Sequence, residues 1–269
     1  MKISIALEQI FAFTKQDFYG WSTYKTAVIT QIITVVVGIL TWGINAMYRN
    51  RPVLEYNTDY VSFLIVGLTI GSIVMPLVQG VERRLNPWTL ETVLMTGVSV
   101  PVFVVGNISW NYIFSIIVFI PQLLIGILWF NARLNVNIYS TILAFAISAA
   151  ILLGLAMVST GMRLVTKSTD PMTWAINTLS QLAAGMSFPV QFLDQIFPGV
   201  SSFAWFLPQT WVYHLCREAM LMGLSLTAPQ MQYDLLKGLA FAIILFPMGY
   251  YVFSWGLRRS KRDGTLGWF

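Results

Sequence analysis

Residues 138–161 read IYSTILAFAISAAILLGLAMVSTG, a long run without a charged side chain or a histidine. A helix that crosses the hydrocarbon core of a bilayer needs about 20 residues of this mostly apolar kind. Five other stretches have the same character, so the sequence predicts six membrane spans, and Pro121 predicts a kink in the third. The predicted spans cover residues 26–47, 60–80, 98–130, 138–161, 171–190 and 238–257.

The composition also indicates a membrane protein. Hydrophobic residues make up 57% of the chain and charged residues only 10%, whereas a soluble domain carries about 25% charged residues. The net charge of +5 does not indicate a nucleic-acid partner, because the basic residues cluster at the ends of apolar runs. The single cysteine, Cys216, excludes an internal disulfide and a CxxC metal or redox site. We therefore expect the lipid bilayer, and no nucleic acid, around this chain.

The basic residues also predict the orientation of the spans. With the N-terminus inside, eleven Lys and Arg side chains are cytoplasmic and five are external, which is the bias that membrane proteins show. The predicted fold class is therefore an all-α integral membrane protein with six transmembrane helices and both termini in the cytoplasm. The five external basic residues are Arg49, Arg51, Arg133, Arg217 and Lys237.

Several kinds of functional site are missing from the sequence. The six predicted spans contain no Asp, Glu, Lys, Arg or His, which disfavours a proton- or ion-coupled carrier. No Gly-Lys dipeptide occurs, so the chain has no phosphate-binding P-loop and no cofactor is expected. No catalytic or metal site is predicted either: His214 is expected to be a polar residue of an external loop without partners for a triad or a metal. A membrane-embedded enzyme is disfavoured for the same reason.

The N-terminal segment, residues 1–24, predicts an interfacial helix. Ile3, Leu7, Ile10, Phe11 and Phe18 fall on one helical face, with polar side chains facing away. Such a helix is either a general membrane-surface anchor or an elbow that leads into the first span.

The loop at residues 82–98 predicts a short cytoplasmic helix. Asn86 is a good N-cap, Pro87 suits the first helical position, and Leu85 and Leu90 occupy the two positions of a hydrophobic staple. Gly97 is a natural stop. This helix either reconnects two spans or docks onto a cytoplasmic partner.

The same loop resembles the signature of the membrane subunits of type-two ABC exporters. That signature runs Glu, three residues, Gly-Thr-Leu-Glu, two aliphatic residues, Thr-Pro, and Ser two positions later. The spacing before the first Thr is longer in this chain, Trp88 stands in place of Gly, and Gly97 in place of Pro. The matching residues are Glu82, Thr89, Leu90, Glu91, Val93, Leu94, Thr96 and Ser99. The resemblance implies a coupling helix that docks into a separate ATP-binding subunit through Glu82, Thr89, Leu90, Glu91 and Leu94.

Residues 191–236 are rich in proline and aromatic residues, and their apolar pieces are too short to cross a bilayer. They could form an external loop, interfacial helices or a re-entrant hairpin, and the aromatic density favours interfacial or membrane-inserted half-helices. The exporter family has a similar region, matched by Gly185, Phe188-Pro189, Leu207-Pro208, Arg217 and Gly223. The resemblance implies half-helices that cap the external end of a pathway, with Phe188, Pro189, Leu207 and Pro208 at an external gate.

The expected function is therefore that of a permease subunit of an ABC exporter in a prokaryotic cell membrane. The resemblance implies that a second copy of the chain and two ATP-binding subunits, which hold ATP and Mg²⁺, complete the transporter. The uncharged, aromatic interior suits an amphipathic or lipid-like substrate. A passive channel or a membrane scaffold without an ATPase is the alternative, and each polar residue of a span could also bond to a neighbouring helix. The candidate pathway residues are Gln31, Thr34, Thr41, Trp42, Asn45, Asn177, Gln181 and Met186.

Overall fold

The computed structural model describes residues 3–48, 51–80, 98–166, 174–175, 178–179, 182–195 and 197–263, and these are mostly helical. A short antiparallel ribbon joins β1, Pro52–Val53, to β2, Thr58–Asp59. Single helical turns cover Leu54–Tyr56, Val190–Gln195 and Glu218–Met222, the last with π geometry. The helices are α1, Ile3–Thr23; α2, Lys25–Tyr48; α3, Tyr60–Gly80; α4, Val100–Phe130; α5, Ile138–Thr166; α6, Val200–Ala204; α7, Pro208–Arg217; and α8, Pro229–Arg262.

Four of these helices are long and apolar enough to cross a membrane: α2, α4, α5 and α8. The predicted second span falls on α3, within which Tyr60–Val74 forms a shorter apolar helix. Residues 171–173, 176–177 and 180–181 of the predicted fifth span lie outside the described residues, and residues 183–189 of that span are not helical. The structure thus supports an α-helical membrane protein, while the count of six spans and their orientation stay predictions.

Helices α5 and α8 approach each other closely along four glycines. A Cβ atom at Gly256 would lie 2.3 Å from the Gly161 oxygen, and one at Gly249 would lie 2.5 Å from the Gly154 oxygen. The glycines on each helix are separated by two helical turns, and small residues at such an interface let two membrane helices pack backbone to backbone. The main core lies along this pair and includes buried side chains of α3 and α7.

Two features differ from the sequence prediction. The chain is not purely helical, because the ribbon between α2 and α3 turns through Asn57, which has a left-handed φ of 48°. Helix α8 begins at Pro229, a favourable residue for the first helical turn, so the end of the predicted 191–236 region belongs to the last long helix. The predicted elbow is a helix, α1, and Pro121 lies inside α4, which continues on both sides of it.

Candidate functional site

Helix α2 has three distinct faces, which follow from its rotation of about 100° per residue. Ile39, Gly43 and Ala46 form the buried face. An exposed aliphatic face carries Ile33 and Val37. The third face is exposed and polar, and we call it the polar stripe. It contains all five pathway residues that were predicted in the first span: Gln31, Thr34, Thr41, Trp42 and Asn45.

The polar stripe makes its hydrogen bonds within its own helix. Thr34 Oγ1 donates to the Thr30 oxygen and Thr41 Oγ1 to the Val37 oxygen, both at 2.8 Å. Asn45 Nδ2 donates to the Thr41 oxygen at 2.8 Å. Each of these three side chains thus donates one hydrogen bond within α2, and the amide of Asn45 keeps a second N–H and its oxygen for another partner.

A cavity of about 300 Å³ brings two of the predicted pathway residues together. Gln31 from α2 and Met186 from the end of the predicted fifth span both line it, with Gly71 and Ser72 of α3 and Ser115 of α4. The other predicted residues of the fifth span, and all those of the coupling loop, lie outside the described part of the chain. They are Asn177, Gln181, Glu82, Thr89, Leu90, Glu91 and Leu94.

The four residues of the predicted external gate belong to two neighbouring structures. Phe188 and Pro189 line a cavity of about 780 Å³ together with Tyr60. Leu207 precedes Pro208, which begins α7. The buried Leu207 side chain belongs to a small apolar cluster that also contains Val190, Ala183 and Ala204. Val190, which follows Pro189, therefore connects Phe188 and Pro189 to Leu207 and Pro208.

Arg217, expected among the external basic residues, is almost completely buried at 1% exposure. Its guanidinium donates to the Gly185 oxygen, and Nη2 donates to the Met186 oxygen at 2.7 Å. The same group lies 3.7 Å from the centre of the Phe63 ring, a cation–π contact. Arg217 therefore joins α7 to α3 and to the segment around Met186, while its placement on the external side of the membrane stays a prediction.

His214 also differs from its predicted role as an isolated residue of an external loop. Its Nδ1 atom lies 2.7 Å from the Tyr56 hydroxyl. Its Nε2 atom lies 3.5 Å from Glu218 Oε1 and 3.5 Å from Asp234 Oδ2. Gln230 Nε2 donates to Glu218 Oε1 at 2.6 Å. The expectation that no acidic side chains gather around the histidine is thus wrong, and we call His214, Glu218 and Asp234 the acidic–histidine cluster.

Aromatic rings enclose the acidic–histidine cluster on one side. Tyr56, Trp205 and Trp211 each make an edge-to-face contact with the His214 ring, at 5.8, 4.9 and 6.0 Å between centres. A cavity of about 470 Å³ adjoins the cluster, lined by His214 and Asp234 and also by Trp205 and Trp211. The cluster is therefore shielded by aromatic rings and still has access to a space large enough for water or ions.

The surroundings of Glu218 disfavour negative charge on its carboxyl. Burial raises the pKa of Glu218 above its ordinary range, the nearby His214 lowers it, and the negative charge of Asp234 raises it again. Burial likewise raises the pKa of Glu55, which lines the same cavity, against the lowering effect of His214 and Arg217. Carboxyls with such raised pKa values hold a proton more readily than exposed ones.

Comparison of the chain with models of protein families, with curated proteins and with solved structures found no match. The function must therefore be argued from the residues themselves.

One local signal in the sequence pointed to the cluster. His214 and Glu218 are four residues apart in a helix that begins at Pro208, and this spacing places two side chains on one helical face. The third member, Asp234, comes from another helix, and only the packing of α7 against α8 brings it within reach. The sequence spacing thus predicts that His214 and Glu218 are neighbours, whereas the position of Asp234 beside them depends on the packing of the two helices.

Proposed function

We propose that this chain is the membrane permease subunit of an ATP-driven exporter of the type-two ABC class. Two copies would form a pathway for an amphipathic or lipid-like substrate in a prokaryotic cell membrane. Two separate ATP-binding subunits would hold ATP and Mg²⁺ and dock onto the loop that contains Leu90 and Glu91. The sequence resemblance of that loop supports the docking.

The polar stripe is the observation that carries the pathway half of this proposal. Hydroxyl and amide groups that face hydrocarbon are unfavourable, and polar residues of membrane helices usually face a helix bundle or a water-filled cavity. The stripe is exposed in the single chain, and no helix of the described structure covers it. A second copy of the chain facing the stripe across a pathway would remove it from lipid.

The cavity between α2, α3 and α4 supports the same arrangement. Gln31 extends the polar stripe to this cavity, which Met186 also lines. Met186 is also fixed through its main-chain oxygen by Arg217. A flexible thioether beside an amide gives a surface that suits substrates with both apolar and polar parts.

A thiol-labelling experiment tests the pathway. Thr34→Cys and Ile33→Cys are compared in a Cys216→Ala background; the two positions are adjacent in depth but about 100° apart around α2. Thiolates react in water, so a membrane-impermeant thiol reagent should label the Thr34→Cys protein much faster than the Ile33→Cys protein. Equal labelling of both proteins would contradict an aqueous pathway along the stripe.

Co-purification tests the ATP-driven part. The tagged chain, expressed in its native host, should bring down a P-loop ATPase, and Leu90→Ala or Glu91→Ala should weaken that association. A pathway that labels as expected, without an associated ATPase, would instead indicate a passive channel. A membrane scaffold should show neither the faster labelling of the Thr34→Cys protein nor an associated ATPase.

A further inference from the structure

The acidic–histidine cluster has the spacing of a metal site. Two of the separations, from His214 Nε2 to Glu218 Oε1 and to Asp234 Oδ2, are 3.5 Å, and the three ligating atoms all lie within 4.8 Å of one another. Ligands about 2.1 Å from a tetrahedral zinc ion lie about 3.4 Å apart. The two contacts of His214 match that value, and rotation of one carboxylate would close the third side.

The hydrogen bond of His214 to Tyr56 orients the ring for such a role. Metal-bound histidines donate their other ring N–H to an oxygen, which fixes both the tautomer and the ring plane. When Nδ1 of His214 donates to the Tyr56 oxygen, 2.7 Å away, Nε2 directs its lone pair between two carboxylates. Two carboxylates beside this lone pair repel each other, and a cation bound among them relieves that repulsion, as a proton would.

Glu218 provides an independent observation. Its side chain is fully buried, at 0% exposure. Gln230 donates to Oε1, but Oε2 has no hydrogen-bond partner within the described parts of the chain. A buried carboxylate oxygen without a partner is costly. A cation held between Glu218 and its neighbours would provide that partner.

We propose that His214, Glu218 and Asp234 form a binding site for a divalent transition-metal ion of the zinc class. One imidazole and two carboxylates suit zinc, whereas Ca²⁺ and Mg²⁺ prefer oxygen ligands in larger number. The adjoining cavity of about 470 Å³ provides access and room for a water ligand. Lys237, whose ammonium is 3.9 Å from Asp234 Oδ1, has a side chain that is 38% exposed and can move aside.

A bound ion would link the short helix α7 to the long helix α8. His214 and Glu218 come from α7 and the π turn that follows it, and Asp234 lies in the second turn of α8. Tyr56 adds the segment between α2 and α3 through its hydrogen bond to the histidine. The metal would thus fix one end of the bundle, whether or not the chain exports a substrate.

Zinc titration of the purified full-length protein in detergent tests the site. His214 is the single histidine of the chain, so the affinity tag must contain none. After treatment with a chelator, calorimetry should detect one saturable Zn²⁺ per chain in the presence of millimolar Mg²⁺. His214→Gln should weaken Zn²⁺ binding by at least about 100-fold, because it removes a direct ligand. Asp194→Asn, which alters an exposed carboxylate elsewhere, is the matched control and should bind like the wild type.

A more conservative variant tests the site even if His214→Gln fails to fold. Tyr56→Phe keeps the ring and removes only the hydroxyl that orients His214, and it should weaken Zn²⁺ binding by about 10–100-fold. Zn²⁺ should also raise the Tm of the wild type and leave that of His214→Gln unchanged. The proposal is overturned if no saturable site is found, if the wild type and His214→Gln bind equally, or if millimolar Mg²⁺ displaces the zinc.

Discussion

Replacement of Gly67 by alanine is expected to destabilise the protein strongly. A Cβ atom at Gly67 would lie 2.1 Å from Arg217 Nη2 and 2.1 Å from the Met186 oxygen. These two atoms are joined by a hydrogen bond of 2.7 Å, which the methyl group would enter. Either the buried guanidinium or the main chain must therefore move by more than 1 Å to restore ordinary contact distances of about 3.4 Å.

The size of the effect follows from three contributions. Overpacking a closed site costs about 1–3 kcal/mol, and loss of a hydrogen bond to a charged group costs about 1.5–3 kcal/mol. Alanine is favoured over glycine within a helix by about 1 kcal/mol, which offsets part of this cost. The net loss is about 1.5–5 kcal/mol. At about 2–4 °C per kcal/mol, the Tm should fall by about 3–20 °C.

Two other glycines provide matched controls for Gly67→Ala. At Gly71 the new methyl would meet the Met186 Cε atom at 2.6 Å, the end of a flexible side chain that can move, so the loss should be at most about 1 kcal/mol. At Gly38 nothing lies within 4 Å, and alanine should be neutral or stabilising by up to about 1 kcal/mol. Thermal unfolding of the three variants in one detergent should rank them Gly38→Ala, Gly71→Ala, Gly67→Ala from most to least stable. A Gly67→Ala protein as stable as Gly38→Ala would refute the reasoning.

Three further perturbations test other parts of the structure. Gly256→Ala places a methyl 2.3 Å from a facing backbone oxygen and should cost about 1–3 kcal/mol, measured as a lower Tm. Asn45→Leu alters only the exposed stripe and should leave the Tm within about 1 °C but reduce ATP-dependent efflux of an amphipathic dye from vesicles containing the assembled transporter. Hydrogen bonds from Ser201 and Gly199 lower the pKa of Asp194, so the carboxylate stabilises its turn at neutral pH and this effect is lost as the pH falls through the lowered pKa. Asp194→Asn should therefore speed amide exchange at residues 199–201 near neutral pH.

The long apolar helices could be predicted from the sequence because hydrophobicity over about 20 residues is a local property. Helices α2, α4, α5 and α8 all fall on predicted spans. The start of α8 could not be placed as well, because Pro229 can either interrupt an irregular region or begin a helix. Only the packing of the first turns of α8 against α7 distinguishes the two.

The polar stripe and the acidic–histidine cluster differ in how far the sequence could reveal them. The five stripe residues lie on one helix, so their common face follows from helical periodicity alone. The cluster joins His214 and Glu218 to Asp234 of another helix, and no periodicity relates Asp234 to the other two. The rule for basic residues counts charges at span ends and gives no information on whether the Arg217 side chain is buried. That rule cannot detect main-chain oxygens, such as that of Met186, which accept from a buried guanidinium.

The length of α8 has a mechanical consequence. A helix of 34 residues is about 51 Å long, roughly 20 Å more than the hydrocarbon thickness of a bilayer. Its first turns carry Asp234, and its last turn carries Arg259 and Arg262. Because the contacts of Gly249 and Gly256 hold the C-terminal half of α8 against α5, a tilt of 5° about that point would displace the first residue by about 3 Å and the last by about 1 Å, in opposite directions. A displacement of one end of α8 would therefore move the other end, without any change of conformation within the helix.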